Sequence, residues 1–206
     1  MKQLRMLALA AALCLLSACR PEPSASAKPV IYLYPEEETE VTVTLDFDGA
    51  LTSTYPAYEE GWTVLARPDG TLRDPDTGRS YYCLFWEGIS RREYDFSSGF
   101  VVPGEETAAF LEDALDRLGL TEREAQEFII YWLPRMEGNA WNLISFQGAA
   151  YTEGAVLTVD PAPDTVLRVF MAWKGLDQPV ELPPQQLSAP ERAGFTLVEW
   201  GGAEAP

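Results

Sequence analysis

The sequence predicts an α+β fold, an antiparallel β-sandwich-like sheet system carrying one helical hairpin insertion at about 105–133. Three observations predict it. Short apolar runs punctuated by Pro, Gly and Asp recur from Val30 to Trp200. The spacing of apolar residues changes to the helical period between Glu105 and Trp132. No linker composition separates the helical stretch from the strands around it, so a single domain over 29–202 is expected.

Each element has its own signal. Val30-Ile31-Tyr32-Leu33-Tyr34 is stopped by Pro35, and Val41–Leu45 alternates with period two before Asp48-Gly49, a dipeptide typical of hairpin turns. Strands follow at Trp62–Ala66, ended by Pro68-Asp69-Gly70, and at Tyr81–Trp86, ended by Glu87-Gly88. Ala108, Leu111, Leu115 and Leu118 then fall at helical spacing, with Gly119 placed for a left-handed C-cap and Leu120 placed to close it. Thr121-Glu122-Arg123-Glu124 has the spacing of a capping box and opens a second helix with Ala125, Phe128, Ile129 and Trp132 on one face. Pro134 is expected to stop that helix. After Gly138, strands return at Trp141–Phe146, Ala155–Val159, Thr165–Trp173 and Phe195–Trp200. The continuously apolar Thr165–Trp173 reads as a central strand, and Pro179–Pro190 as an extended surface connection.

The start of the chain reads as an address. Lys2 and Arg5 precede an apolar run, Met6–Leu16, that is too short to span a bilayer. It ends in Leu16-Ser17-Ala18-Cys19, which resembles the lipobox of bacterial lipoprotein signal peptides. That resemblance implies removal of residues 1–18 and acylation of Cys19 as the first residue of the mature chain. The expected address is therefore extracytoplasmic, with the membrane as a partner through the lipid. Residues 19–28, rich in Pro, Ser and Ala, read as a tether, and residues 203–206 as a tail.

Composition excludes several functions. The chain has no His, which removes imidazole-based nucleophile activation and His-rich zinc sites. Its 32 acidic against 15 basic residues give a formal charge of −17, and loss of Lys2 and Arg5 with the signal makes the remainder more acidic still. Such a chain does not bind nucleic acid by counterion release, nor anionic lipid by a basic patch. Of the 3 cysteines, Cys14 lies in the signal and Cys19 is the lipidation site, so Cys83 is left without a disulfide partner. No Gly-rich phosphate loop, Ser-x-x-Lys or Gly-x-Ser-x-Gly occurs, and no cofactor is expected.

Arg168 is the one charge in Val166–Trp173, and a guanidinium in an apolar strand demands a carboxylate. Glu87 and Glu199 are the candidates, each beside a tryptophan, Trp86 and Trp200. Together these five residues form either a ligand site among aromatic rings or a structural ion pair. Trp62 and Trp141, with Tyr55, Tyr58 and Tyr94, extend the expected aromatic and acidic surface. The first expectation is therefore a non-enzymatic binding or envelope-interaction module facing a glycan or an envelope protein, and another is a structural envelope lipoprotein with a protein partner. A carboxylate-based glycan hydrolase using Glu87 and Glu199 is the catalytic alternative, since that chemistry needs no His. Asp74 and Asp76 alternate as calcium ligands do, but the loop lacks a third aspartate and the closing glutamate, so a hairpin turn is the preferred reading.

The octapeptide Lys28-Pro29-Val30-Ile31-Tyr32-Leu33-Tyr34-Pro35 resembles one shared by a group of uncharacterised secreted bacterial proteins. Gly61-Trp62, Leu84–Gly88, Tyr131–Pro134 and Val198–Gly202 add to that resemblance. It implies a single exported domain and carries no activity.

Overall fold

A computed structural model describes residues 24–206; the signal, the lipobox and Cys19 lie outside the described residues. With 42% strand and 18% helix, the fold is a β-rich α+β domain with a helical insertion, as the sequence predicts. The strands are β1 (Ser24–Tyr34), β2 (Thr39–Phe47), β3 (Ala50–Tyr55), β4 (Trp62–Ala66), β5 (Leu72–Arg73), β6 (Ser80–Tyr81), β7 (Leu84–Ser90) and β8 (Phe100–Pro103). Helices α1 (Thr107–Arg117) and α2 (Glu122–Met136) follow, then β9 (Trp141–Gln147), the short α3 (Ala149–Thr152), β10 (Ala155–Asp160), β11 (Thr165–Leu176) and β12 (Thr196–Glu204).

These elements form three layers. A large sheet in the order β3-β7-β1-β12-β11-β9-β8 lies between a small sheet, β10-β2-β4-β5-β6, and the α1–α2 hairpin. Strand alternation sorts side chains between two cores. From β1, Ile31 and Leu33 enter the core between the sheets, while Val30 and Tyr32 enter the core under the helices. From β11, Phe170 faces the first and Leu167, Val169, Met171 and Trp173 face the second. Burial on both faces is why Thr165–Trp173 reads as continuously apolar.

The hairpin is built as its sequence dictates. Gly119 takes φ +81°, its N–H donates to Asp116 O (2.9 Å), and Leu120 N–H reaches Leu115 O (3.0 Å), the two bonds of a Schellman ending. Thr121 then caps α2: its N–H donates to Glu124 Oε2 (2.8 Å) and its hydroxyl accepts from Glu124 N–H (3.4 Å).

The structure corrects five expectations. Asp48-Gly49 does not close a hairpin: β2 keeps β4 and β10 as neighbours, and β3 crosses to the large sheet to pair with β7. The crossing leaves Phe47 edge-on to Trp86, with centroids 4.9 Å apart, and over Gly88, where a Cβ would collide with its ring. The stretch Tyr81–Trp86 is two strands, because Tyr82-Cys83 passes from β6 in the small sheet to β7 in the large one. Pro134 sits within α2, which continues to the fully buried Met136, and Glu137 N–H closes the last turn on Leu133 O (2.9 Å). The large sheet is mixed: β11 and β12 run parallel, while the remaining neighbours are antiparallel. Finally, β1 begins at Ser24 and β12 ends at Glu204, so pairing extends into stretches that read as tether and tail. No helix among the described residues is long and apolar enough to cross a membrane.

Candidate functional site

Arg168 and Glu199 are register partners on β11 and β12, and both point into the core between the sheets. Arg168 Nε donates to Glu199 Oε2 at 2.7 Å, with side-chain exposures of 10% and 1%. Trp86 Nε1 donates to Glu199 Oε1 at 3.2 Å, and the Arg168 guanidinium lies 4.9 Å from the centroid of the Tyr151 ring. Tyr151 in turn stacks on Phe170 at 4.0 Å. Burial opposes the charge on Arg168, but the Glu199 carboxylate outweighs it and leaves the guanidinium's pKa raised. Both oxygens of Glu199 are occupied by the protein, which fits the structural reading of the ion pair, while Arg168 Nη2 and the Tyr151 hydroxyl are buried with no hydrogen-bond partner among the described residues.

The other sequence candidates do not converge on it. Glu87 follows Trp86 on a regular strand and so faces the helices. There it accepts from the Lys28 backbone N–H (3.3 Å), while Lys28 Nζ sits 4.8 Å from the Tyr131 ring centroid and 5.4 Å from that of Trp200. Glu87 and Glu199 therefore occupy opposite faces of the large sheet and cannot flank one glycosidic bond. Trp86, Trp200 and Trp62 are buried, the last with Nε1 donating to Pro56 O (2.9 Å), and Trp141 is half-buried at the start of β9. The aromatic surface expected from tryptophans is thus core; it is Tyr55, at 54% exposure, and Tyr82, at 52%, that reach solvent. Asp74 Oδ1 accepts the Asp76 and Thr77 N–H groups (2.9 and 2.8 Å), which makes 74–79 a capped turn between β5 and β6. No cluster of three metal-ligating side chains occurs among the described residues.

A different site emerges where β1 meets the start of α2. Tyr32 and Tyr34 project from the same face of β1 with parallel rings, 6.3 Å between centroids and 2° between planes. Tyr32 donates its hydroxyl to Glu127 Oε2 (2.7 Å) and Tyr34 to Glu124 Oε1 (2.8 Å), so residues two apart on a strand meet residues three apart on a helix. Arg192 ties the final loop to this pair, donating to Gly119 O and to both oxygens of the buried Glu124. Burial raises the energy of the Glu124 carboxylate, yet Arg192, the Thr121 N–H and the Tyr34 hydroxyl together hold its pKa below the usual range. Burial, reinforced by the two glutamates, pushes both tyrosines well above theirs.

Above this framework opens a cleft of about 440 Å³, lined by Tyr34, Tyr82, Asp69, Thr71, Thr121 and Arg123 among others. The turn Asp69–Thr71 forms its far wall by packing Gly70, at φ +83°, against the Tyr34 ring, where a Cβ would stand 2.7 Å from Cε1. Arg123 is 78% exposed and held by Glu127 at 3.2 Å. The arrangement offers ring faces, a guanidinium, a carboxylate and hydroxyls around one opening, a composition suited to holding a polar molecule. In the sequence the octapeptide and the capping box stand far apart; the match between Tyr-x-Tyr and Glu-x-x-Glu is the signal that joins them. Comparison with protein families, with curated proteins and with solved structures finds no match for this chain.

Proposed function

We propose that the chain is a lipid-anchored extracytoplasmic binding module, without catalytic activity, that holds a glycan in the cleft between α2 and the Asp69–Thr71 turn. The observation that carries the reading is the exposed Tyr82 ring opening on the same cleft as Arg123, Asp69 and Thr71. A sugar ring stacks on such a face by dispersion and CH contacts, while the charged and hydroxyl groups around it fix orientation. The lipobox supports the anchor, since an acidic chain has no electrostatic hold on a bilayer.

The test is calorimetric titration of the chain with a panel of cell-wall glycan fragments, repeated on Tyr82→Ala and Arg123→Ala. Binding that weakens at least about tenfold in each variant, with unchanged melting, supports the cleft. No binding across the panel, or binding that both variants retain, overturns it. For the anchor, the expected result is an acyl mass on Cys19 and loss of detergent-phase partitioning in Cys19→Ala; a soluble wild-type chain with an unmodified Cys19 removes it.

A further inference from the structure

The β8 side of the large sheet is sealed along part of its length and open along the rest. Beyond the start of β8, the loop between β11 and β12 runs along β9 as a strap. The side-chain amide of Gln185 takes the place of a strand there: Phe146 N–H donates to Gln185 Oε1 (2.8 Å) and Gln185 Nε2 donates to Phe146 O (2.9 Å). At the start of β8, the Gly99 N–H donates to Pro183 O (2.9 Å). Then the strap stands off. Between β8 and Val180–Pro184, with Ala109 and Phe110 of α1 as the third wall, lies a groove of about 990 Å³.

Three features of this groove agree on one occupant. First, among the described residues β8 pairs with β9 on one side and with no strand on the other. Gly99 N–H is taken by Pro183 O, and Pro103 has no N–H and its carbonyl accepts from Thr107, so the edge open to the groove is centred on the Val101 N–H and C=O. Folded domains cover such edges, as this one does at Gly99 and Phe146, because an open edge recruits another strand. Second, the lining is mainly apolar, from Phe100, Val101, Phe110, Val180 and Leu182. Third, the charged residues that line it, Glu106 and Glu181, are both acidic, within a chain of formal charge −17.

We propose that this groove binds an extended peptide of a partner protein, which adds to β8 as an eighth strand. An extended backbone answers the edge groups, alternate apolar side chains fill the groove, and a lysine or arginine meets Glu106 and Glu181. A helix would leave the edge unanswered, and an acidic segment would be repelled.

The test is selection of a random heptapeptide display library on the full chain in detergent, followed by titration of the selected peptides in synthetic form. Expected are sequences with apolar residues at alternate positions and at least one Lys or Arg. Their affinity should fall tenfold or more on Ala109→Trp, which fills the groove from an exposed helix position, and several-fold on Glu181→Lys. N-methylation of alternate peptide amides should abolish binding. Absence of any enriched sequence, enrichment of acidic sequences, or affinity indifferent to N-methylation overturns the proposal. Should Ala109→Trp melt early, Glu181→Lys carries the decision, and peptides that bind it as they bind the wild type also overturn it.

Discussion

Arg168 and Glu199 are paired twice, once as backbone partners across the parallel strands β11 and β12 and again by a 2.7 Å ion pair inside the sandwich. Removing one charge strands the other in a site with almost no water. Glu199→Leu is therefore expected to cost about 3–5 kcal/mol, and the double change Arg168→Met/Glu199→Leu distinctly less. Urea unfolding of the single and double variants measures both. A single variant within about 1 kcal/mol of wild type would show that the pair is solvated.

Glu124 makes stability depend on acid. Its pKa is depressed in the folded chain by Arg192, Thr121 and Tyr34, so its contribution is present above the ordinary value of 4.5 and is lost as pH falls through the folded value. Glu124→Gln should be less stable at pH 7 and show a flatter decline below pH 4.5. Melting curves at a series of pH values test this; parallel declines for the two proteins would reject the assignment.

Cys83 should be chemically silent while the domain is folded. It is 8% exposed, and burial pushes its thiol up to about 12, so almost no thiolate exists at pH 8. Labelling by a thiol reagent, followed at Cys83 by peptide mass mapping, is expected to run at least about a hundredfold slower than in the denatured chain. Rapid native labelling would contradict the buried placement. The raised value also predicts a loss of stability as pH climbs above 9, where the unfolded thiol ionises and the folded one does not.

The two glycines that end the helices should respond differently to alanine. At Gly119, φ is +81° and a Cβ would stand 2.7 Å from that of Ala189, so Gly119→Ala is expected to cost about 1–3 kcal/mol. At Gly138 nothing among the described residues lies within 4 Å of an added Cβ, and Gly138→Ala should stay within about 0.5 kcal/mol. Equal effects at both positions would count against the Schellman geometry of α1.

Local signals in the sequence translate directly into local structure. The capping box at Thr121, the glycine cap at Gly119 and the turn at Asp74 each form within a few residues, where short-range chemistry decides, and each stands as predicted. The need of Arg168 for a carboxylate was legible because burial leaves a guanidinium no other solution. Which glutamate answers was not, since that depends on β12 lying two strands from β7, a fact of topology. Parity shows only that the five residues do not share one face, since Trp86 and Glu87, like Glu199 and Trp200, are adjacent on a strand and face opposite ways; it does not choose between the two glutamates. The same period explains the tryptophans, which in a three-layer domain have a buried face on either side of the central sheet. The crossing of β3 is not legible in the sequence, because Asp48-Gly49 makes an equally good turn between sheets as within one.

The position of β12 bears on how the chain reaches its fold. Between its neighbours β1 and β11 it forms the middle of the large sheet and contributes Leu197 to one core and Trp200 to the other. Tyr34 waits for Thr196, a partner roughly 160 residues downstream, and loop-closure entropy makes such pairings late events. A chain emerging amino-terminus first must therefore keep both cores unfinished until β12 is released. A nonsense change just before Thr196 removes the middle strand of the large sheet from both cores and would leave no partly working remnant behind.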